Sequence, residues 1–248
     1  MSAKRKGPRA PDRRYVLVID IGGSHVKFRI GERGAIQAFE SGPKMTPARM
    51  TRELRRLLGE QRYDAVSIGY PGLVYHGRIA ADPHNLGKGW VGFDFAAALG
   101  RPVRLINDAA LQAIGSYRGG RMLFLGLGTG FGATLIIDGV VEPTEVGHMP
   151  YKHGRTFEYY VGEQGRKRLG NRRWRKAVRK VVADLGAAFE AEYIVLGGGN
   201  AAKINKLPPG ARLGSNLHAF VGGLRLWDPN SGVITSPSAA VREARHGR

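Results

Sequence analysis

The chain has 248 residues, of which 42% are hydrophobic and 37 are glycine, and its formal net charge is +19. This length is enough to bury the cores of one globular protein with two lobes, and no apolar run reaches the roughly 18 to 20 residues that span a bilayer. The basic start of the chain lacks the apolar segment of a secretory signal, so we expect a cytoplasmic protein without membrane association. Cysteine is absent, which excludes disulfides and thiolate metal sites.

The first predicted elements are two strands joined by a glycine turn. Residues 1–14 carry a charge of +5 and few apolar side chains, and we expect a flexible basic tail there. The apolar runs at residues 15–19 and 26–30 then predict two buried strands. The turn between them begins with the sequence DIGGS, in which the glycines let backbone amides approach an anion.

Several residues of this first turn suit phosphate and metal binding. Asp20, at the end of its strand, could hold Mg²⁺ through water, and Lys27 could neutralise phosphate charge. The alternatives are that Asp20 caps the turn and that Lys27 is a solvated strand residue. The predicted phosphate contacts of the first turn are Asp20, Gly22, Gly23, Ser24 and Lys27.

A short strand at residues 101–107 ends in Asn107 and Asp108, which precede a predicted helix reaching residue 114. Ligands of open α/β sheets collect at the carboxyl ends of strands. A carboxylate that orients a hydroxyl and accepts its proton suits phosphoryl transfer, in which the protein does little covalent chemistry. Asp108 is therefore the candidate general base. The alternative is that Asp108 caps the helix.

A second unit of strand, glycine turn and strand follows at residues 123–137, LFLGLGTGFGATLII. Gly128, Thr129 and Gly130 form the turn, and their backbone groups could cradle phosphate oxygens. Glu145 and His148 come shortly afterwards and could bind sugar hydroxyls. A tight hairpin is the alternative interpretation of the turn. The repetition of the unit favours a phosphate site with sugar ligands nearby.

A strongly basic helix is predicted next, because residues 165–180 carry a charge of +9 and no acid. The apolar residues that recur there at helical spacing are Trp174, Val178, Val181, Val182, Leu185 and Phe189. Such a density of like charge favours a polyanionic partner, either inorganic polyphosphate or nucleic acid, and the alternative is a solvated charged face. The predicted polyphosphate track consists of Arg172, Arg175, Lys176, Arg179 and Lys180.

The last predicted elements are a strand at residues 192–196, a turn of three glycines, and helices at residues 201–206 and 216–227. The glycines of this turn could serve only close packing between a strand and a helix. Residues 228–248 hold many polar residues, and we expect a second flexible tail.

Six segments, taken together and in this order, resemble one protein family. They are DIGGSHVKF at 20–28, GYPGLV at 69–74, HNLGKGWVGFDFAAALGRPVRLINDA at 84–109, GLGTGFGATLIIDG at 126–139, EVGH at 145–148 and VLGGG at 195–199. Over residues 14–227 the chain resembles the ROK sugar kinases, most closely the polyphosphate glucokinases. The resemblance implies a two-lobed α/β fold of the actin-like ATPase and ribonuclease H-like hexokinase type. It places the lobes at residues 15–108 and 109–215, with a final helix at 216–227 that packs back on the fold.

The resemblance also implies roles for individual residues. Asp108 would be the base on the primary hydroxyl of the sugar, while Gly128, Thr129 and Gly130 would face the transferred phosphoryl group. The side chains implied to hold the remaining hydroxyls are Asn85, Asn107, Glu145, His148 and Glu158. In an ATP-using relative, the segment with Gly198 and Gly199 would lie against the nucleotide, so the resemblance makes these two glycines further candidate phosphate contacts.

Two departures from the family pattern stand out. The cysteine cluster that binds zinc in the family is replaced by YKHGRTFE at residues 151–158, so we expect no zinc, and packing must hold the neighbourhood of His148. Polyphosphate glucokinases also tend to lack this cluster. His25 stands where the family usually has a small residue, and this bears on the shape of the first phosphate turn.

The sequence, read with this resemblance, therefore predicts a kinase that phosphorylates glucose, or another hexose such as mannose, with Mg²⁺ and with inorganic polyphosphate as donor. The resemblance also implies a homodimer. An ATP-dependent hexose kinase is the nearest alternative. The alternative from another class is a non-catalytic protein on the same scaffold that binds a polyanion or nucleic acid.

Overall fold

The computed structural model describes Asp12 and residues 15–235. The strands of its first lobe are β1 (Val16–Ile21), β2 (His25–Ile30), β3 (Gln37–Glu40), β4 (Ala65–Tyr70), β5 (Val74–Tyr75), β6 (Arg78–Ile79) and β7 (Val103–Asn107). The helices of this part are α1 (Pro47–Leu58), α2 (Phe95–Leu99) and α3 (Asp108–Ser116), which leads into the second lobe. Five of the strands form one sheet in the order β3-β2-β1-β4-β7, and β5 and β6 form a separate hairpin.

The second lobe contains the longest helix. Its strands are β8 (Arg121–Leu127), β9 (Phe131–Ile137), β10 (Val140–Thr144), β11 (Pro150–Lys152), β12 (Arg155–Thr156), β13 (Tyr193–Gly197), β14 (Ala211–Leu213) and β15 (Ile234–Thr235). Its helices are α4 (Phe157–Val161), α5 (Glu163–Ala188) and α6 (His218–Arg225), and 3₁₀ turns lie at Val146–His148 and Ala201–Lys203. The main sheet has the order β14-β13-β8-β9-β10-β15, and α5 is broken at Gly170.

The two main sheets repeat one topology. In the first, β1, β2 and β3 pair antiparallel, and β4 and β7 join in parallel on the other side of β1. In the second, β8, β9 and β10 pair antiparallel, and β13 and β14 join in parallel beyond β8. The β1–β2 turn and the β8–β9 turn therefore occupy equivalent positions in their sheets. The expected two-lobed α/β fold is confirmed.

Helices α3 and α6 cross at glycines. An ideal Cβ on Gly115 would lie 1.9 Å from the carbonyl oxygen of His218, and one on Gly222 would lie 1.9 Å from that of Leu111. Only glycine permits backbones to approach this closely. Apolar residues of α3 and α6 share a buried core with β1 and β8, and this core joins the lobes. Separate cores lie under α1 and under α5.

Two expectations about the end of the chain are wrong. The helix predicted at residues 201–206 is only the 3₁₀ turn Ala201–Lys203, because Pro208 and Pro209 follow closely and the residue before a proline avoids helical geometry. Part of the expected tail is structured, since β15 pairs in parallel with β10. The rest of the predicted tails, residues 1–11, 13–14 and 236–248, lies outside the described residues. Within residues 15–235, no helix has the length and apolar character to cross a membrane.

Candidate active site

Two carboxyl groups lie at the ends of strands of the first sheet. Asp20 is the next-to-last residue of β1, and Asp108 follows β7 directly as the first residue of α3. Burial, together with the charges of Asp20 and Glu145, raises the pKa of Asp108 to about 7. Burial likewise raises the pKa of Asp20 to about 6, against the opposing effect of Lys27, its cross-strand partner. The predicted base therefore faces a like charge in a partly desolvated site.

Asn107, not Asp108, caps α3. Its Oδ1 accepts hydrogen bonds from the backbone N–H groups of Ala109 at 2.9 Å and Ala110 at 3.1 Å, and its Nδ2 donates to the carbonyl oxygen of Gly72 at 3.1 Å. Asp108 also accepts from Ala109 N, through Oδ1 at 2.8 Å. Asn107 is therefore the N-cap of α3, and Asp108 is the first residue of the helix. The role of Asn107 as a sugar ligand remains a prediction, and its side chain already has three partners in the protein.

Glu145 and His148 lie beside this acidic pair. The carboxylate of Glu145 lies 3.5 Å from His148 Nδ1, and both side chains are exposed. A cavity of about 680 Å³ opens next to Asn107 and Glu145, between residues 72–78 and 103–107 of the first lobe and residues 141–143 of the second. These two predicted sugar ligands thus border a shared space between the lobes.

Asn85 and Glu158 each lie against one of the glycine turns. An ideal Cβ on Gly23 would be 3.4 Å from Cβ of Asn85, so the exposed Asn85 packs on the first turn. Glu158 Oε2 accepts a hydrogen bond from the N–H of Phe131 at 2.8 Å and would lie 2.7 Å from a Cβ on Gly130. Glu158 therefore borders the second turn. Its role as a sugar ligand remains a prediction.

The three-glycine turn after β13 contains one packing position and one open position. Gly198 has φ +80°, and a Cβ there would lie 2.6 Å from the carbonyl carbon of Leu127, at the end of β8. Gly199 is exposed, and a Cβ there would meet nothing within 4 Å. Close packing therefore explains Gly198, while Gly199 stays open to a ligand.

Two residues that contact the glycine turns, Ser41 and Asn200, were not predicted from the sequence. Ser41 Oγ donates to the carbonyl oxygen of Gly22 at 2.6 Å. Asn200, which is 5% exposed, donates from Nδ2 to the carbonyl oxygen of Gly128 at 3.2 Å. Neither residue lies within the glycine motif that it contacts. The one signal in the sequence was that Asn200 directly follows the three glycines.

Helix α5 has the predicted apolar stripe, with Trp174 and Val178 buried in the second-lobe core. Arg172, Lys176 and Arg179 are exposed, opposite this stripe. The expectation that all nine cations lack an acidic partner is wrong, because flanking acids pair with three of them. These pairs are Arg166 with Glu163, Lys167 with Glu163, and Lys180 with Asp184.

Arg175 is less exposed than its neighbours in the predicted track. Its Nε donates to the carbonyl oxygen of Lys203 at 2.7 Å, and Lys203 follows Gly199 by four residues. One end of the basic face therefore reaches the segment that follows the three glycines.

Aromatic packing occupies residues 151–160. The rings of Tyr151 and Phe157 stack with centroids 4.6 Å apart, and Tyr160 meets Tyr151 edge-on at 5.5 Å. Tyr151 and Phe157 lie between His148 and Glu158 in the chain, and Tyr160 follows Glu158. Packing thus holds the segment where the family pattern has cysteines.

The residues present fit Mg²⁺ and do not form a closed metal cage. Across residues 15–235, no group of three or more His, Cys, Asp or Glu side chains could hold a metal ion. Mg²⁺ usually keeps several waters and binds one or two carboxylates together with substrate phosphates. Asp20, at a strand end beside the first glycine turn, provides such a carboxylate.

Comparisons with known proteins find relatives that cover most of the chain. The model described as ROK family matches residues 16–167. A polyphosphate glucokinase of Mycobacterium tuberculosis is 26% identical over 223 residues, covering 82% of this chain and 84% of that protein. A kanosamine kinase of Amycolatopsis mediterranei is 30% identical over 165 residues, covering 56% and 54%. The crystal structure of an inorganic polyphosphate/ATP-glucomannokinase from Arthrobacter sp. strain KM aligns with a TM-score of 0.74 and 25% identity, covering 88% of this chain and 98% of that one.

Proposed function

Because the chain belongs to the ROK family of sugar kinases, which transfer a phosphoryl group to a hexose hydroxyl, we propose that it phosphorylates the 6-hydroxyl of glucose with inorganic polyphosphate. The observation that carries the proposal is the position of Asp108, at the start of α3 directly after β7 and near the charges of Asp20 and Glu145. A base is most effective when its pKa lies near the working pH. The pKa of about 7 at Asp108 meets this condition.

In this mechanism Asp108 accepts the proton of the hydroxyl as that oxygen attacks the terminal phosphorus of the donor. The shortened polyphosphate leaves with the electrons of the broken P–O bond. Backbone amides of the two glycine turns stabilise the charge on the transferred group. Asp20 would hold Mg²⁺, which would supply further neutralisation of phosphate charge. Closure of the lobes excludes water, which would otherwise compete with the sugar.

The acceptor occupies the space between the lobes. Asn85, Asn107, Glu145, His148 and Glu158 hold the hydroxyls that do not react. Support comes from the cavity that Asn107 and Glu145 line. His148, whose exposed side chain lies 3.5 Å from the Glu145 carboxylate, is near this cavity through Glu145. Mannose differs from glucose at one hydroxyl and is the second acceptor that we propose to test.

The donor follows the basic face of α5. Arg172, Lys176 and Arg179 are exposed, and no ion pair involves them among the described residues. Arg175 connects this face to the segment after Gly199 through its bond to Lys203. Polyphosphate carries one negative charge at nearly every phosphate and can be bound along such a row of cations. The names of two relatives also include polyphosphate.

The deciding experiment measures sugar-phosphate formation by the purified protein with glucose, Mg²⁺ and either long-chain polyphosphate or ATP at matched ionic strength. Faster turnover with polyphosphate supports the proposal. Turnover with ATP alone keeps the kinase and removes the polyphosphate donor. Absence of turnover with both donors and with mannose favours a non-catalytic polyanion-binding protein. Light scattering on the same sample tests the proposed homodimer.

A further inference from the structure

The carbonyl oxygens of the second glycine turn all accept hydrogen bonds inside the protein. Leu127 O accepts from the backbone N–H of Asn200 at 2.8 Å, and Gly128 O accepts from Asn200 Nδ2 at 3.2 Å. Thr129 O accepts from the N–H of Glu163 at 3.3 Å. The oxygen of Gly130 accepts from the N–H of Gly128 at 3.2 Å. Oxygen atoms that would repel a phosphate are thereby held by protein donors.

These bonds also orient the amides that remain. A trans peptide is planar, so its C=O and the next N–H point in opposite directions. Fixing Gly128 O therefore fixes the direction of Thr129 N–H, and fixing Thr129 O fixes that of Gly130 N–H. Within residues 15–235, neither of these two amides has a hydrogen-bond partner. Two adjacent amides that are left open in this way form an anion-binding concavity.

Asn200 is suited to this task because its buried side chain carries an amide donor. Nδ2 donates to Gly128 O at 3.2 Å. Arg166, and to a smaller extent the Asn200 amide, lower the pKa of Glu163 to about 2. Because the partner in the turn is a carbonyl oxygen, neither a carboxylate nor an apolar side chain can replace the amide.

The first glycine turn has a similar anchor on a different element. Ser41, which follows β3, donates from Oγ to Gly22 O at 2.6 Å, and its backbone N–H donates to Ser24 O at 2.9 Å. By the same planarity, the hydroxyl of Ser41 fixes the direction of Gly23 N–H. Glycine rotates more freely than any other residue, so each turn needs an external anchor to keep one peptide orientation.

We propose that Asn200 and Ser41 are positioning residues for the phosphoryl donor. Each holds a carbonyl oxygen of a glycine turn away from the cleft, so that the next amide faces the phosphate. The proposal rests on the proposed function in one respect, namely that the two turns bind the phosphates of the donor. Neither side chain needs to touch the substrate itself.

The test compares Asn200→Ala with Ser41→Ala in steady-state kinetics. We expect the donor KM to rise about tenfold for Asn200→Ala and about threefold for Ser41→Ala, the range that corresponds to losing one or two hydrogen bonds. The KM for glucose at saturating donor stays unchanged. Ser41→Thr, which retains the hydroxyl, restores the donor KM. The control is Asn205→Ala, which removes a nearby exposed asparagine and leaves both KM values unchanged.

A binding measurement keeps this test independent of turnover. Calorimetric titration with inorganic tripolyphosphate reports on the turns even if glucose is not the acceptor or if polyphosphate is not the donor. Weaker tripolyphosphate binding by Asn200→Ala, at an unchanged glucose affinity, supports the proposal. Equal losses for tripolyphosphate and glucose would indicate a merely structural role and overturn it. Unchanged tripolyphosphate binding in both variants, or none in the wild type, also overturns it.

Discussion

Charge is arranged in opposite ways in the cleft and on the outer face of α5. In the cleft, Asp20 and Asp108 carry like charges in a partly desolvated site, and their pKa values rise to about 6 and about 7. On α5, Arg172, Lys176 and Arg179 are solvated. Buried charges interact strongly over short distances, whereas exposed charges are screened within about 10 Å at moderate salt. The contrast indicates that the chemistry of the cleft depends on individual carboxyl groups. Polyanion binding by α5 depends on several exposed charges acting together.

The sharpest test of the cleft is Asp108→Asn. Removing a general base costs roughly 10² to 10⁴ in rate, so we expect turnover to fall by that factor. Asparagine has nearly the same shape and can still accept the hydrogen bond from Ala109, so glucose binding should persist. A coupled assay for sugar phosphate and calorimetric titration with glucose measure the two effects.

The matched control is Asp138→Asn at the β9–β10 turn. Asp138 is exposed and has φ 47°, a conformation that asparagine also tolerates. We expect its turnover to equal that of the wild type. If Asp108→Asn retained the wild-type rate, the assignment of Asp108 as the general base would be wrong, because turnover would not require its carboxylate.

The second prediction concerns stability and its pH dependence. The pKa of Asp108 is about 7 in the fold and 3.8 ordinarily. Below the lower value the carboxyl is protonated in both states. Between the two values the unfolded chain loses its proton first, so the fold loses stability as the pH rises, and above about 7 the loss is complete. Asp108→Asn should therefore raise the free energy of unfolding at pH 8 by on the order of 1–3 kcal/mol.

Urea unfolding without Mg²⁺ measures this difference. Near pH 3 the variant and the wild type should have nearly the same stability, because the Asp108 carboxyl is then protonated in both the folded and the unfolded state. A variant that is less stable at pH 8 would show that Asp108 is not held at an energetic cost. The proposed contrast between buried and exposed charge would then fail for the buried carboxyl groups of the cleft.

Local patterns were sufficient to predict the turns but not to assign the contacts at their edges. The two units of strand, glycine turn and strand were predicted within one or two residues of their observed strands. Asn107 and Asp108 are both good helix caps, so the sequence alone left the cap open. The backbone decides it, because Asn107 has φ −60° and ψ 145°, outside the helix, and Asp108 is inside.

Contacts between distant segments could not be predicted. Ser41 meets Gly22, and Asn200 meets Gly128, only because each sheet brings those residues together. No periodicity or spacing links such pairs. By contrast, the pairing of Lys180 with Asp184 follows a regular i,i+4 helical spacing. This pair could have been predicted if the basic segment had been extended beyond residue 180.

The third prediction contrasts two glycines within the second turn. Gly130→Ala places Cβ 2.7 Å from Oε2 of Glu158, whereas Gly128→Ala meets nothing within 4 Å. Displacing Glu158 breaks its hydrogen bond to Phe131 N. We therefore expect Gly130→Ala to lower the free energy of unfolding by about 1–2 kcal/mol and Gly128→Ala to leave it nearly unchanged. Thermal unfolding measures both, and equal losses would contradict this account of the turn.

The smallest expected effect belongs to α5. Reversing Arg172, Lys176 and Arg179 to Glu should raise the KM for long-chain polyphosphate by roughly threefold to tenfold, because polyanion binding depends on the number of neutralised charges. The KM for ATP should change less, since ATP is too short to follow the helix. Added salt should reduce the difference between variant and wild type, as expected for exposed charges. Steady-state assays at two ionic strengths measure all three effects.

The first lobe provides a control with the same change in net charge. Lys44, Arg49 and Arg52 are also two arginines and one lysine, and all three are exposed. If the row of cations on α5 binds the donor, reversing the α5 set should weaken polyphosphate use while reversing the first-lobe set should not. Equal losses from both sets would mean that net charge alone attracts the polyanion, because long-range attraction depends on total charge and a track depends on its position.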